Sequence, residues 1–255
     1  MSGPAHSHAL FVHGHSPVHR LPAHLKLIAL VIFITAVVVT PRDAFWAFAV
    51  LAVLLGVGIV VAELPMKLVG RRMLVEVPFV LFAVALPFLG GGDRVDVLGI
   101  AMSEEGLWAA WTILAKATLG VGASVLLSST TEIPQILSGM QRLRVPRVLT
   151  AITGFMVRYL DVIIGELSRR RIAMASRGYE ARWMWQGESL AASAASIFVR
   201  SYERGERVHQ AMVARGYAGT MPTTVRVETV EPAQWVRGLG VPAIALAVAI
   251  VAVVL

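Results

Sequence analysis

The sequence predicts an all-α membrane protein with about five transmembrane helices and a cytoplasmic block of amphipathic helices. Hydrophobic residues make up 56% of the 255 residues, and charged residues make up only 15%. A soluble domain averages about 25% charged residues. Mean hydropathy is +0.71, and the apolar residues are gathered in long runs. These observations exclude an ordinary soluble domain.

The spans follow from the length of the apolar runs. A helix needs about 20 mostly apolar residues to cross the hydrocarbon core of a bilayer. Backbone polar groups find no water in lipid, so each span is expected to be helical. Five runs are assigned as spans, of which the first and third are short: Leu25–Thr40, Ala44–Ala62, Met73–Leu89, Leu107–Leu127 and Val236–Leu255.

The loops between the spans predict the topology. Residues 63–72 carry three basic residues and one acidic residue, whereas residues 90–106 carry four acidic residues and one basic residue. Basic loops face the cytoplasm. The N-terminus is therefore predicted to be cytoplasmic, and no apolar signal precedes the first span. The chain divides into four predicted parts: a His-rich segment at 1–24, a four-helix membrane region at 25–128, a cytoplasmic region at 129–235 and a last span at 236–255.

The cytoplasmic region is predicted to be helical and strongly basic. Its fourteen arginines with no lysine favour a folded interaction surface, because arginine makes forked hydrogen bonds. A solvated loop that merely obeys the positive-inside rule is the alternative. Helices are expected over Ile133–Leu143, capped by Thr130–Glu132, from Arg147 to about Arg171, and over Glu188–Arg215.

The third of these helices carries an apolar stripe at spacings of three or four. Glu203 and Arg207 are expected to pair at i,i+4 on the opposite face. A helix of this length outside the bilayer needs a surface that buries the stripe. Its members are Leu190, Ala194, Ile197, Phe198, Tyr202, Val208 and Met212.

A seven-residue repeat ends two of the predicted helices. Residues 173–179 (AMASRGY) recur as residues 211–217 (AMVARGY), with five of seven positions identical. Glycine is favoured where a helix stops in the left-handed conformation, and arginine in the last turn complements the helix dipole. Two ordinary helix ends are the simpler reading. Two near-copies of a helix end instead predict that the ends bind two similar sockets on a partner, as paired ATPase subunits would offer.

These motifs resemble the transmembrane scaffold, or T-component, of energy-coupling-factor transporters, a branch of the ABC class. The family hallmark is a pair of Ala-Arg-Gly motifs at the ends of two coupling helices. Ala214-Arg215-Gly216 matches in full, whereas Ser176-Arg177-Gly178 has Ser in place of Ala. Residues 200–207 (RSYERGER) are most similar to the cobalt-type scaffold (CbiQ-like). Further similar segments are Ser16–Leu21 with Lys26, Thr130–Pro134, Leu143–Pro146 and Arg158-Tyr159.

The resemblance implies a non-catalytic subunit of the inner or plasma membrane of a prokaryote, without a cofactor. Arg177 and Arg215 would enter grooves on two ATP-binding subunits, and the helices would reorient a membrane-embedded S-component that binds cobalt. Nickel or a vitamin such as biotin remains open as the substrate. No phosphate-binding glycine loop is present, so the ATPase is expected on a separate chain.

Two other features invite a functional interpretation. Six of seven histidines lie in the first 24 residues, which allows loose capture of a divalent metal, but their spacing is irregular and we assign no metal site. Lys116 lies in the fourth span, where a charge indicates function by default. A structural role inside the protein, with Glu76 as a possible partner, is favoured.

Three rival functions are weaker. A membrane metalloenzyme needs a motif such as His-Glu-x-x-His, which is absent. A free-standing secondary transporter needs interrupted spans and a polar pathway, for which Lys116 alone is too little. Nucleic-acid binding is disfavoured because nine acidic residues are interleaved with the basic ones after Ser128.

Overall fold

The structure is a computed structural model that describes residues 11–91, 93–97, 100–178, 187–219 and 232–254. It is almost entirely helical, as predicted. The elements are α1 (Ala23–Val39), α2 (Phe45–Val61), α3 (Met66–Met73), a 3-10 turn (Leu74–Glu76), α4 (Val77–Leu89), β1 (Arg94–Val97), β2 (Ile100–Ser103), α5 (Glu104–Thr130), α6 (Ile133–Arg142), α7 (Arg147–Ser176), α8 (Gly187–Ala214) and α9 (Pro232–Val254).

The described residues fall into two compact units. The membrane unit contains α1 to α6 and α9. The two-helix unit contains α7 and α8, which carry the repeated motif at their ends.

The core of the membrane unit is formed by one face from each of α1, α2, α5 and α9. The last of these helices contributes small residues: Ala245 and Ala249 are fully buried, and a Cβ added to Gly238 would lie 3.3 Å from the Leu25 Cβ. Lipid gives no hydrophobic drive for helices to associate, so close backbone approach through small residues matters more than in water. The residues that pack with Ala245 and Ala249 in the main cluster are Phe33, Ala36, Val37, Phe48, Leu51, Leu119 and Ala123.

Within the described ranges, four helices are long and apolar enough to cross a membrane: Met66–Leu89, Glu104–Thr130, Arg147–Ser176 and Gln234–Val254. The shorter apolar helices Ala23–Val39 and Phe45–Val61 correspond to the first two predicted spans. The helix Arg147–Ser176 is as long and apolar as a membrane span, although the sequence analysis predicts that it lies in the cytoplasmic region. The cytoplasmic location of this helix stays a prediction, because length and composition alone do not place a helix inside or outside a bilayer.

One boundary was predicted wrongly, and one loop has structure that the sequence analysis did not predict. The helix begins at Met66 rather than Met73. The ring of Pro65 fixes its backbone in an extended conformation immediately before the amphipathic first turn. The acidic loop, for which the sequence analysis predicted only a location, contains two antiparallel strands in which Arg94 pairs with Ser103. Ser103 then caps α5 by accepting a hydrogen bond from the Gly106 amide at 3.1 Å.

The N-cap of α6 falls within the predicted segment Thr130–Glu132, but it has no side-chain hydrogen bond. Glu132 is the N-cap residue, and its side chain makes no capping hydrogen bond. The Thr130 hydroxyl instead donates to the Leu126 carbonyl oxygen, one turn back in α5, at 2.8 Å. The Thr131 hydroxyl accepts from Lys26 Nζ at 3.3 Å. Thr130 therefore bonds within α5 and Thr131 bonds to Lys26 of α1, so both hydroxyls are used away from the start of α6.

Candidate functional site

The repeated motif ends both helices of the two-helix unit, as predicted. α7 ends at Ser176 and α8 ends at Ala214. The glycine two residues later has positive φ in each copy, +74° at Gly178 and +84° at Gly216. This is the left-handed conformation that glycine adopts without steric cost.

The backbone hydrogen bonds of the two ends are equivalent. The Arg177 amide donates to the Met174 carbonyl oxygen at 3.1 Å, and the Arg215 amide donates to that of Met212 at 3.0 Å. The two glycine amides donate in the same way, to Ala175 at 3.0 Å and to Val213 at 2.9 Å. The repeat in sequence is therefore a repeat in backbone geometry.

The second end has the full bonding pattern of a Schellman motif. The Tyr217 amide donates to the Met212 carbonyl oxygen at 3.0 Å, in addition to the bond from Gly216 to Val213. The Tyr217 ring also lies edge-on to His209, with centroids 6.4 Å apart. Tyr179, its counterpart in the first copy, lies outside the described residues.

All six candidate site residues are exposed: Ser176, Arg177, Gly178, Ala214, Arg215 and Gly216. The substitution of Ser for Ala in the first copy leaves no polar group unpaired. The Ser176 hydroxyl donates to the Ala173 carbonyl oxygen of its own helix at 3.0 Å. Each helix end therefore presents a guanidinium beside a small residue, on a backbone whose own bonds are satisfied.

A charged cluster between α7 and α8 was missed from the sequence. The Glu166 carboxylate of α7 is buried and binds two guanidinium groups of α8, those of Arg204 at 3.3 Å and Arg200 at 3.6 Å. One turn later, Arg170 Nη2 donates to Ser196 Oγ at 2.7 Å. The repeat offered a signal, because Glu166 and Arg204 each lie seven residues before one copy of it and have opposite charge.

The apolar stripe of α8 divides between two surroundings. Val208 and Met212 line an open cavity of about 390 Å³ against Phe155, Tyr159 and Ile163 of α7. In contrast, Phe198 is 73% exposed and Tyr202 is 64% exposed. The stripe is therefore only partly covered within the two-helix unit. The side chain of Leu190 lies outside the description.

The predicted pair on the outer side of α8 is confirmed. Arg207 Nη1 lies 3.8 Å from Glu203 Oε2, with more than half of each side chain exposed. Exposed pairs of this kind contribute little to stability.

In the membrane unit, Lys26 and His19 hold the segment that precedes α1. The buried Lys26 ammonium donates to the Thr130 carbonyl oxygen at 2.8 Å and to the His19 carbonyl oxygen at 3.3 Å. The His19 ring contacts Ser16 Oγ at 2.6 Å and the Val12 carbonyl oxygen at 3.0 Å. Burial lowers the pKa of His19 below its usual value.

The histidines supply no metal site within the described ranges. No group of three or more His, Cys, Asp or Glu side chains there could hold a metal ion. His6 and His8 lie outside those ranges, and His19 is used in local hydrogen bonds.

Lys116 and Glu76 do not pair with each other. Lys116 Nζ donates to the Val38 carbonyl oxygen at 2.7 Å, in the last turn of α1. The Glu76 carboxylate accepts from the Thr118 hydroxyl at 2.6 Å. A cation on a terminal helix carbonyl is favoured by the helix dipole. These contacts give both residues a role in joining helices.

A family model described as "Cobalt transport protein" (CbiQ) matches residues 14–225. The chain belongs to the CbiQ family. This match covers α1 to α8 and both Arg-Gly helix ends. It therefore includes every residue of the candidate site.

Three curated relatives agree with the CbiQ assignment. A putative fused cobalt transport protein CbiMQ of Methanocorpusculum labreanum is 26% identical over 81% of this chain, which spans only 36% of that longer relative. The energy-coupling factor transporter transmembrane protein EcfT of Bacillus selenitireducens is 29% identical over 82% of both chains. The cobalt transport protein CbiQ of Rhodobacter capsulatus is 26% identical over 69% of this chain and 72% of its own length. The chain is thus a multi-pass transmembrane component of the energy-coupling-factor type.

Proposed function

We propose that this chain couples two ATP-binding subunits to a membrane-embedded S-component that captures cobalt ions for uptake. The observation that carries the proposal is the pair of helix ends at Arg177 and Arg215, which share one backbone geometry and are both exposed. Two equivalent, exposed cationic ends match a partner that comes in two related copies.

Arginine suits a contact that transmits force. A guanidinium forms two parallel bonds with a carboxylate, which fixes direction as well as distance. The small residue before each arginine allows close approach, and the glycine after it turns the chain away. Removing one member of a buried interfacial charge pair typically costs about 2–5 kcal/mol.

Cobalt is the substrate favoured by the family description and by two of the relatives' names. The name of the EcfT relative specifies no substrate, so nickel or a vitamin such as biotin is the alternative. In this proposal the substrate is bound by the S-component, and the present chain hydrolyses nothing. It lies in the inner or plasma membrane of a prokaryote with its N-terminus in the cytoplasm, and it binds lipid but no nucleic acid.

A free-standing secondary transporter is the competing function. It would place an essential polar group within the membrane, and Lys116 is the natural candidate. The bond from Lys116 to the end of α1 gives that residue a structural task instead.

The test is co-purification and uptake with the two ATPase subunits and the S-component. We expect Arg177→Ala and Arg215→Ala to weaken assembly separately, and the double variant to abolish ATP-dependent cobalt uptake. Arg207→Ala is the matched control, because Arg207 is an exposed arginine of α8 that lies away from the helix end. Full assembly and uptake in the double variant would refute the proposal.

A further inference from the structure

Glu166 and Arg204 occupy equivalent positions in the two repeat-bearing helices. Glu166 precedes Arg177 by eleven residues, and Arg204 precedes Arg215 by eleven residues. At the rise of an α-helix, each member of the pair lies about 16 Å along the axis from its own Arg-Gly end. The ion pair thus joins α7 and α8 at the same distance from both ends.

The contacts also fix the relative direction of the helices. Glu166 binds Arg204 and Arg200, whereas Arg170, one turn later on α7, donates to Ser196, which comes earlier on α8. Moving forward on one helix therefore means moving backward on the other, so the helices are antiparallel where they meet. The two Arg-Gly ends consequently extend to opposite sides of the contact.

Burial distinguishes this pair from the other ion pair of α8. The side chains of Glu166 and Arg204 are 11% and 30% exposed, whereas those of Glu203 and Arg207 are 55% and 67% exposed. A partly desolvated pair is screened less by salt, and loss of one partner leaves a charge without compensation. The Glu203–Arg207 pair lies within one helix and cannot fix the geometry between two.

We infer that the Glu166–Arg204 pair is a positioning joint that sets the separation of the two Arg-Gly ends. The pair acts through Arg177 and Arg215 and contacts no substrate itself. With the Glu166–Arg204 pair in place, the ATPase subunits move α7 and α8 together as one rigid body. Without the pair, each helix moves independently of the other. The consequence for transport rests on the proposed function, whereas the separation of the ends is a property of this chain alone.

The separation is measured on the full chain in lipid nanodiscs. The protein has no cysteine, so a pair introduced by Ala175→Cys and Val213→Cys places spin labels at matching exposed positions beside the two ends. We expect one narrow distance distribution by pulsed electron paramagnetic resonance. Glu166→Gln or Arg204→Gln is expected to broaden it by about twofold, because the only described bonds from that carboxylate to α8 are lost or halved.

Three control variants separate positioning from general damage. Glu203→Gln removes an exposed pair of the same helix and is expected to leave the distribution unchanged. Glu166→Arg combined with Arg204→Glu is expected to restore the narrow distribution. This swap includes Arg200→Gln, since the reversed pair would otherwise set two guanidinium groups side by side. Arg200→Gln alone is expected to have no effect, because its bond is longer and Arg200 is mostly exposed.

The same variants are then assembled with the ATPase subunits and S-component. Glu166→Gln is expected to keep assembly but to lower substrate taken up per ATP hydrolysed by about tenfold, and the swap is expected to restore the ratio. An unchanged distance distribution, equal broadening in Glu203→Gln, a swap that restores nothing, or a normal uptake ratio in Glu166→Gln would overturn the inference. If the Arg177 and Arg215 double variant transports normally while Glu166→Gln still broadens the distances, the proposed function fails and the joint remains.

Discussion

Lys26 Nζ donates a 2.8 Å hydrogen bond to the carbonyl oxygen of Thr130, joining the first turn of α1 to the last residue of α5. The two residues are 104 positions apart. The same ammonium also reaches the Thr131 hydroxyl and the His19 carbonyl oxygen. One buried cation therefore binds oxygen atoms from the C-terminal end of α5 and from the segment that precedes α1.

Replacing that cation tests its contribution. Lys26→Met keeps the length of the side chain but removes three hydrogen bonds, and it should destabilise the membrane unit by about 1–3 kcal/mol. Detergent-solubilised protein would be compared by thermal unfolding with fluorescence-detected gel filtration. Lys67→Met, at an exposed position of α3, should unfold like the wild type. An unaltered unfolding temperature in Lys26→Met would show that water replaces these bonds.

We predict that protonation of His19 destabilises residues 11–22 as the pH falls. Burial lowers the pKa of His19 below its ordinary value of 6.5, so the folded segment favours the neutral ring. The stabilising contribution is complete above pH 6.5 and is lost as the pH falls through the lowered pKa. Lys26, Glu63 and His15 are the charged or titratable neighbours that act on this ring.

Amide hydrogen exchange across residues 11–22 would measure the effect between pH 7.5 and pH 5, after correction for the intrinsic rate. Protection should fall as the pH is lowered. His19→Gln should show little further change with pH, because the titrating group is gone. A pH dependence that survives in His19→Gln would assign it to another histidine.

Substitution by alanine is expected to have opposite effects at Gly216, after the end of α8, and at Gly205, inside α8. Gly216→Ala forces a side chain into φ +84° and should cost about 1–2 kcal/mol at the end of α8. Gly205→Ala in the same helix has open space around the new Cβ and should stabilise the helix by about 0.5–1 kcal/mol. Hydrogen exchange near residues 212–217 should rise only in the first variant. Equal behaviour of the two would contradict the geometry described for Gly216.

Lys116 is expected to be structural. Lys116→Met removes the bond to the Val38 carbonyl oxygen at the end of α1 and should lower thermal stability while uptake continues in the assembled transporter. Lys116→Arg retains a donor and should behave more like the wild type. Loss of all uptake in Lys116→Met protein that assembles normally would instead favour the secondary-transporter alternative.

Much of the architecture could be predicted from the sequence because the signals were local. The spans follow from uninterrupted apolar runs, and the glycines at 178 and 216 mark helix ends through a conformation that other residues adopt with difficulty. The contacts of Lys26 and Glu166 could not be read in this way. The bond from Lys26 to Thr130 and the ion pairs of Glu166 with Arg200 and Arg204 join residues at least 34 positions apart, and no periodicity predicts which distant group a side chain will reach.

The acidic loop shows a different limit. Residues 94–97 and 100–103 were interpreted only by the charge of their loop, yet they pair as two short antiparallel strands, and the second strand ends in the capping serine of α5. A strand of four residues is too short for alternation to be distinguished from chance. The pairing is supported by its surroundings, including the Ser103 hydroxyl, which donates to the Gly91 carbonyl oxygen at 2.6 Å.

The packing of α9 on α1 has a consequence for synthesis in the cell. Leu25 and Ala36 are completely buried, and the small residues of α9 lie against the same helix. A ribosome makes α1 more than 190 residues before it makes α9. During that interval one side of α1 lacks its partner helix, while α7 and α8 are already translated. The nascent membrane unit therefore stays open until the final helix is inserted, and a chain that stops before residue 232 should be a substrate for membrane proteases.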